Sequence, residues 1–157
     1  MSHPAADITI ERVTVASAEL CAALGLLTPQ LTRHAPASEP EWVATVVGSP
    51  AVHLLVARDG GAIVGLVCLV LVPQPTGIRA RLEDLVVDEL ARGRGVAVAL
   101  VSECIERARA AGARDIDLTS NPTRTAAIAI YEAAGFVRRS TNAYRLSFMD
   151  TSAPTHR

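Results

Sequence analysis

This sequence predicts a single domain of mixed α and β structure (α+β), and three observations predict it. Two apolar runs, Val52 to Arg58 and Ala62 to Val72, flank Asp59-Gly60-Gly61, the pattern of a β-hairpin. The apolar strand Leu85-Val86-Val87 runs through a short turn into Arg92-Gly93-Arg94-Gly95, where an amphipathic helix begins. A further strand and helix follow, and that helix closes in Gly135-Phe136.

The remaining elements fall into place around these. Ile8 to Val15 alternates and reads as the first strand. Ala18 to Leu31 is helical, with interruptions expected near Gly25 and Pro29. Thr28 to Pro40 is polar and proline-bearing, hence a loop, and Glu41 to Val47 is a short helix. Arg79 to Val87 is the strand after the hairpin. Val96 to Ala111 is a helix with Val98, Val101, Ile105 and Ala108 on one face, ended by Gly112. Asp115 to Thr119 is a strand, and Thr123 to Ala134 is a helix. Phe136 to Ser140 and Ala143 to Phe148 read as two last strands around a Thr141-Asn142 turn. Residues 1–150 are expected to form one domain and 151–157 a frayed tail.

Composition excludes several classes. With 157 residues, half of them hydrophobic, the chain can bury a proper core. The net charge is −1, which lends a nucleic-acid partner no bulk electrostatic support. The longest apolar run, Ala62 to Pro73, is too short to span a membrane, so no membrane partner is expected. Met1 to Asp7 lacks the basic start and apolar stretch of a signal peptide, and a cytoplasmic location is expected. Cys21, Cys68 and Cys104 are odd in number and widely spaced, so they read as free thiols rather than a disulfide frame or metal site.

The strand-to-helix junction carries the chemistry. A helix start leaves backbone N–H groups unpaired, and the helix dipole adds positive potential, so the junction suits phosphate. Gly93 and Gly95 permit close approach, while Arg92 and Arg94 offer charge-assisted contacts. It is not a P-loop, because the chain has no lysine. Nor is it a dinucleotide fingerprint, because Val96-Ala97-Val98 lacks the third glycine.

Arg92-x-x-Gly95-x-Ala97 instead resembles the acetyl-CoA pyrophosphate loop of the GNAT superfamily of N-acetyltransferases. Arg124 to Phe136 resembles that family's second signature, a helix carrying Ala-x-x-x-Tyr and closing in Gly-Phe. Ala127 and Tyr131 are its face-sharing pair. Many relatives carry Asn where this chain has Arg124, and Asn121 lies three residues earlier.

The resemblance implies a central, mostly antiparallel mixed sheet of six to seven strands, splayed in the middle and flanked by about four helices. It implies acetyl-CoA as cosubstrate, no metal, and a small-molecule or peptide amine as acceptor. The implied cofactor-binding set is Leu85, Val86, Val87, Arg92, Gly93, Arg94, Gly95, Val96 and Ala97, with Asn121 and Arg124. The N–H of Val87 is a candidate to polarise the thioester carbonyl. Tyr131 is the candidate general acid for the departing thiol, or else a core tyrosine. Glu83 is the candidate base, acting through water, or else binds the acceptor or is merely solvated. Strand alternation puts Asp84 on the opposite face. His53, on a neighbouring strand, is a reserve base. A catalytically silent acyl-CoA-binding domain is the alternative. The resemblance also implies a homodimer through the C-terminal strand pair, where Tyr144 and Phe148 alternate with Arg145 and Ser147, or else Tyr144 fills the acceptor cleft of its own chain.

Overall fold

The computed structural model describes residues 7–148. In chain order it contains β1 (Ile8–Val13), α1 (Ala18–Leu31), α2 (Pro40–Gly48), β2 (Val52–Asp59), β3 (Ala62–Gln74) and β4 (Gly77–Val87). A single 3-10 turn, Glu89–Ala91, leads to α3 (Val96–Ala110), β5 (Ile116–Asp117) and α4 (Thr125–Ala133). The sheet runs β1-β2-β3-β4-β5, antiparallel throughout except for the parallel β4/β5 pair.

Local chemistry accounts for most boundaries. Ser17 caps α1, its Oγ accepting from the Leu20 N–H at 3.1 Å. Pro40 opens α2 at a position that needs no donor. Gly60 and Gly61 both have positive φ, 56° and 92°, which lets a two-residue hairpin join β2 to β3. The interruptions expected in α1 do not occur. Pro29 sits in the final turn, where it removes one hydrogen bond at most, and Leu20, Leu24, Leu27 and Leu31 hold the helix against the sheet.

Two cores sandwich the sheet. On one face Leu54, Val56, Leu66 and Val86 pack with Leu20 and Leu27 of α1 and with Val43 and Val47 of α2. On the other, Leu55, Ala57, Val67, Leu69 and Leu82 pack with Leu100, Val101 and Cys104 of α3 and with Tyr131 of α4. This is the period-two alternation of strands covered on both sides. Gly65 lets α3 close on the sheet. A Cβ there would lie 3.1 Å from the Val86 carbonyl oxygen and 3.2 Å from Val96 Cγ1.

The described residues form five strands, not six or seven. Phe136 to Ser140 and Ala143 to Phe148 are not strands, because neither finds a hydrogen-bonded neighbour, and every residue from Val137 to Phe148 is exposed. The expected tail, 151–157, lies outside the described residues.

Candidate active site

The sheet opens at β4 and β5. Their parallel pairing is confined to Ala80↔Ile116 and Arg81↔Asp117, with one further bond from the Arg114 N–H to the Ile78 carbonyl, so among the described residues β4 has no strand partner on that side beyond Arg81. A cleft of about 590 Å³ occupies the opening. It is floored by Leu85, Val86 and Val87 and walled by Arg92, Gly93, Gly95, Val96 and Ala97 on one side, with the start of α4 on the other.

The loop end of the cleft is built for an anion. Gly95 caps α3 at φ 80° with no side-chain cap, and the first helical bond runs from the Ala99 N–H to the Gly95 carbonyl. The N–H groups of Val96, Ala97 and Val98 therefore have no helical acceptor. A Cβ added at Gly93 or Gly95 would meet nothing within 4 Å, so the space above the loop is open. Arg92 lines the cleft, with its Nε donating to the Val87 carbonyl at 3.3 Å. A long ligand with a phosphate at one end fits this arrangement, the phosphate on the N–H groups and the chain along the unpaired edge.

Some candidates stand elsewhere. Arg94 points away and pairs with Asp59 of the hairpin at 2.6 Å. Asn121 serves its own turn, its Oδ1 accepting from the Thr123 N–H and hydroxyl, both at 2.9 Å. Arg124 lines the cleft, and its Nη2 reaches across to the Leu85 carbonyl at 3.4 Å. The residue that departs from the family pattern thus ties α4 to the open strand. Tyr131 is 6% exposed, belongs to the α3-side core and does not line the cleft, although Ala127 and Ile130 of its helix do. Burial raises its pKa, with Arg124 pulling the other way, so the phenol holds its proton through neutral pH.

The placement expected for Asp84 is overturned. Cys68 pairs with Glu83 and Leu66 with Val86, so two steps on β3 face three on β4. Asp84 is the extra residue of a β-bulge, at φ 56°. Simple alternation fails across it, and Leu82 and Leu85, three apart, share the α3-side core. Burial first, then Glu83, raises the Asp84 carboxyl. Both carboxylates act on Cys68, whose thiol is pushed up to about 12, chiefly by burial. Glu83 is also held by Arg81, Nε to Oε1 at 2.7 Å.

His53 lies on the other side of the sheet from Glu83. Its ladder partner Leu69 belongs to the α3-side core, whereas Cys68, the partner of Glu83, packs with the α1 side. Burial lowers the His53 pKa, and Arg12 and Arg107 lower it further. The residue that sequence reasoning missed is Gln30 of α1, which lines the cleft. Its Oε1 accepts from the Glu89 N–H at 3.2 Å, joining α1 to the turn before the loop. A glutamine beside a proline at a helix end offers no signal of that role. Among the described residues, no cluster of His, Cys, Asp or Glu could hold a metal, and no helix is long and apolar enough to cross a membrane.

A five-stranded mixed sheet opened between β4 and β5, with helices on both faces, defines a GNAT-like α+β domain. The description of the Acetyltransferase (GNAT) family matches residues 22–136, and the chain belongs to that family. A curated protein of Rattus norvegicus, N-acetyltransferase family 8 member 2, is 36% identical over 83 residues. The match takes in 52% of this chain and only 37% of that relative. Among solved structures, a putative acetyltransferase from Agrobacterium tumefaciens str. C58 is similar with a TM-score of 0.79 at 25% identity, over 88% of this chain and 99% of the other. A structure described as a transcriptional regulator from Bacillus halodurans C-125 is similar at 0.73 and 29% identity, over 90% and 99%.

Proposed function

We propose that this protein transfers an acetyl group from acetyl-CoA to a primary amine of a small molecule or peptide, by direct attack of the amine in a ternary complex. The observation that carries the reading is the continuous cleft from the unpaired edge of Leu85 to Val87 to the uncapped N–H groups behind Gly95. The cosubstrate, when bound, supplies an activated thioester and a phosphate-bearing handle. Arg92 and the N–H groups of Val96 and Ala97 would hold the pyrophosphate. The backbone of Leu85 to Val87 would align the arm, and the Val87 N–H would stabilise negative charge on the carbonyl oxygen. Arg124 keeps the opening in shape through Leu85.

Two proton movements remain. An alkyl ammonium with a pKa of about 10 must lose a proton before it attacks, and Glu83, through water, is the group to take it. A thiolate with a reference pKa of about 8.5 leaves more readily with a proton, and the protonated Tyr131 phenol is the donor. The free thiols of Cys21, Cys68 and Cys104 support a reducing compartment, the cytoplasm, as the place of work.

A silent acyl-CoA-binding domain is the second reading. It is favoured by the position of Tyr131 outside the lining and by the Arg81 clamp on Glu83. Thiol release from acetyl-CoA across a panel of small amines and N-terminal peptides separates the two. Amine-dependent release supports transfer. Binding of CoA by calorimetry with no release from any acceptor supports the silent domain.

A further inference from the structure

At the edge of the sheet opposite the cleft, basic side chains gather under α3. Ile8 and Ile10 of β1 pack into the α3-side core, so Arg12, two residues on, turns to the same face. Across the ladder Arg12 faces Leu55 of that core, and His53 lies two residues before Leu55 on β2. Arg12 and His53 are therefore diagonal neighbours on one face. The helix α3 packs on both strands and brings Arg107. Arg107 is near enough to act on His53 as Arg12 does, each opposing a positive charge on the imidazole.

Two atoms of this cluster are orphaned. Arg12 Nε and His53 Nδ1 are buried, and neither has a hydrogen-bond partner among the described residues. Buried polar groups without partners are rare, because each has given up water for nothing. The surrounding charge is unbalanced as well. β1 contributes Arg12 and β2 contributes His53, while β3 brings only Leu69 and Leu71 to this face. From α3 come Glu103 and Arg107, paired Nε to Oε1 at 2.7 Å. Glu106 and Arg109 pair with each other further out, in solvent. Glu103 thus offsets Arg107, and Arg12 is left without a counterion. A bridging water would satisfy the two nitrogens but not the charge. An anion answers both needs.

We propose that Arg12, His53 and Arg107 form a binding site for a small tetrahedral oxyanion, phosphate in kind, between the β1–β2 edge and α3. The groups approach from three different elements, which suits four acceptor oxygens better than a planar carboxylate. Arg12 Nε–H and the protonated imidazole each donate one bond, and Arg107 adds charge while its Nε stays with Glu103. The anion offsets the repulsion between His53 and the two arginines, so binding draws a proton onto the imidazole. This site lies toward the far end of α3 from the glycine-rich loop, and it needs no cosubstrate.

The test uses the full chain carrying Gly95→Asp, so that the loop does not compete for the probe. Histidine ring resonances are followed by NMR against pH, with inorganic phosphate exchanged for chloride at constant ionic strength, and His53→Gln assigns the signal. Phosphate should raise the His53 midpoint by at least about one pH unit. Sulfate, which does not titrate in this range, should do the same and should bind more tightly as pH falls. Arg12→Gln should weaken either anion at His53 by at least about tenfold. A His53 midpoint that phosphate leaves in place overturns the proposal. So does an equal response to acetate, which would mean screening of charge without a shaped site, and so does an Arg12→Gln variant that binds like its parent. Should Arg12→Gln fail to fold, the phosphate and acetate titrations of the Gly95→Asp chain decide alone, and the same titrations of the unsubstituted chain decide if Gly95→Asp does not fold.

Discussion

Two stretches of β4, one residue apart, behave differently. Leu85 to Val87 turns side chains into both cores while its backbone edge borders the cleft and flows into the glycine loop. Arg81 to Glu83 remains in ladder with β3, with Glu83 held by Arg81 and outside the cleft lining. Asp84 separates them, at a left-handed φ that non-glycine residues seldom adopt. The comparison teaches that a single inserted residue lets one strand serve two purposes. One half exposes its backbone edge to the cleft, and the other carries the Arg81–Glu83 ion pair.

The largest expected effect tests whether the proton donor serves the cleft from the core. Tyr131→Phe should keep fold and CoA affinity yet lower turnover by about 100-fold, read by steady-state thiol release. Equal turnover would return Tyr131 to packing alone. Next comes the loop half of the comparison. Gly95→Asp places a carboxylate at the anion site and should weaken CoA binding by at least about tenfold, or roughly 1.4 kcal/mol, by calorimetry. Gly95→Ala pays only the left-handed penalty, since its Cβ meets open space, and should bind more tightly than the aspartate variant. If both variants bind as the parent does, the loop is not the phosphate site.

The side-chain half is tested by Glu83→Gln. Its rate deficit should be several-fold, smaller than for Tyr131→Phe because water can replace a distant base. The deficit should close as pH approaches about 10, where the amine loses its proton unaided. A pH–rate profile that overlays the parent's removes Glu83 as base. The smallest effect concerns the bulge. The raised Asp84 pKa means that ionisation is disfavoured in the folded state. Its contribution is therefore most favourable below the unfolded pKa and is lost as pH rises through the folded one. Asp84→Asn, which also tolerates a left-handed φ, should melt higher than the parent at pH 7, with the advantage shrinking toward pH 3. A gain that is constant across pH would assign the effect to backbone conformation instead.

The fold was readable where signals are local. Gly60-Gly61 and Gly112 mark a turn and a helix end through their own backbone chemistry, and apolar patterning identified the five strands and all four helices, whereas the caps at Ser17 and Pro40 emerged only in the structure. The glycine-rich junction before α3 was readable for the same reason, since glycines, arginines and a helix start are consecutive. The site was less so. Arg94 looks like Arg92 in sequence, and only the position of the hairpin turns it to Asp59. Gln30 reaches the loop only because α1 packs along β4.

What the sequence determined by itself is therefore the elements as far as α4, their order, the glycine-rich junction before α3 and the family, all of which depend on neighbours within a few turns of chain. Tertiary structure alone decided register and partnership. The bulge at Asp84 arises because β3 and β4 each satisfy two cores at once, and one extra residue is the way to keep Leu82 and Leu85 on the same side. The missing last strands have the same origin. Alternating residues make Ala143 to Phe148 able to pair, but a strand exists only when another edge supplies its hydrogen bonds, and no pattern within one segment specifies which edge that is.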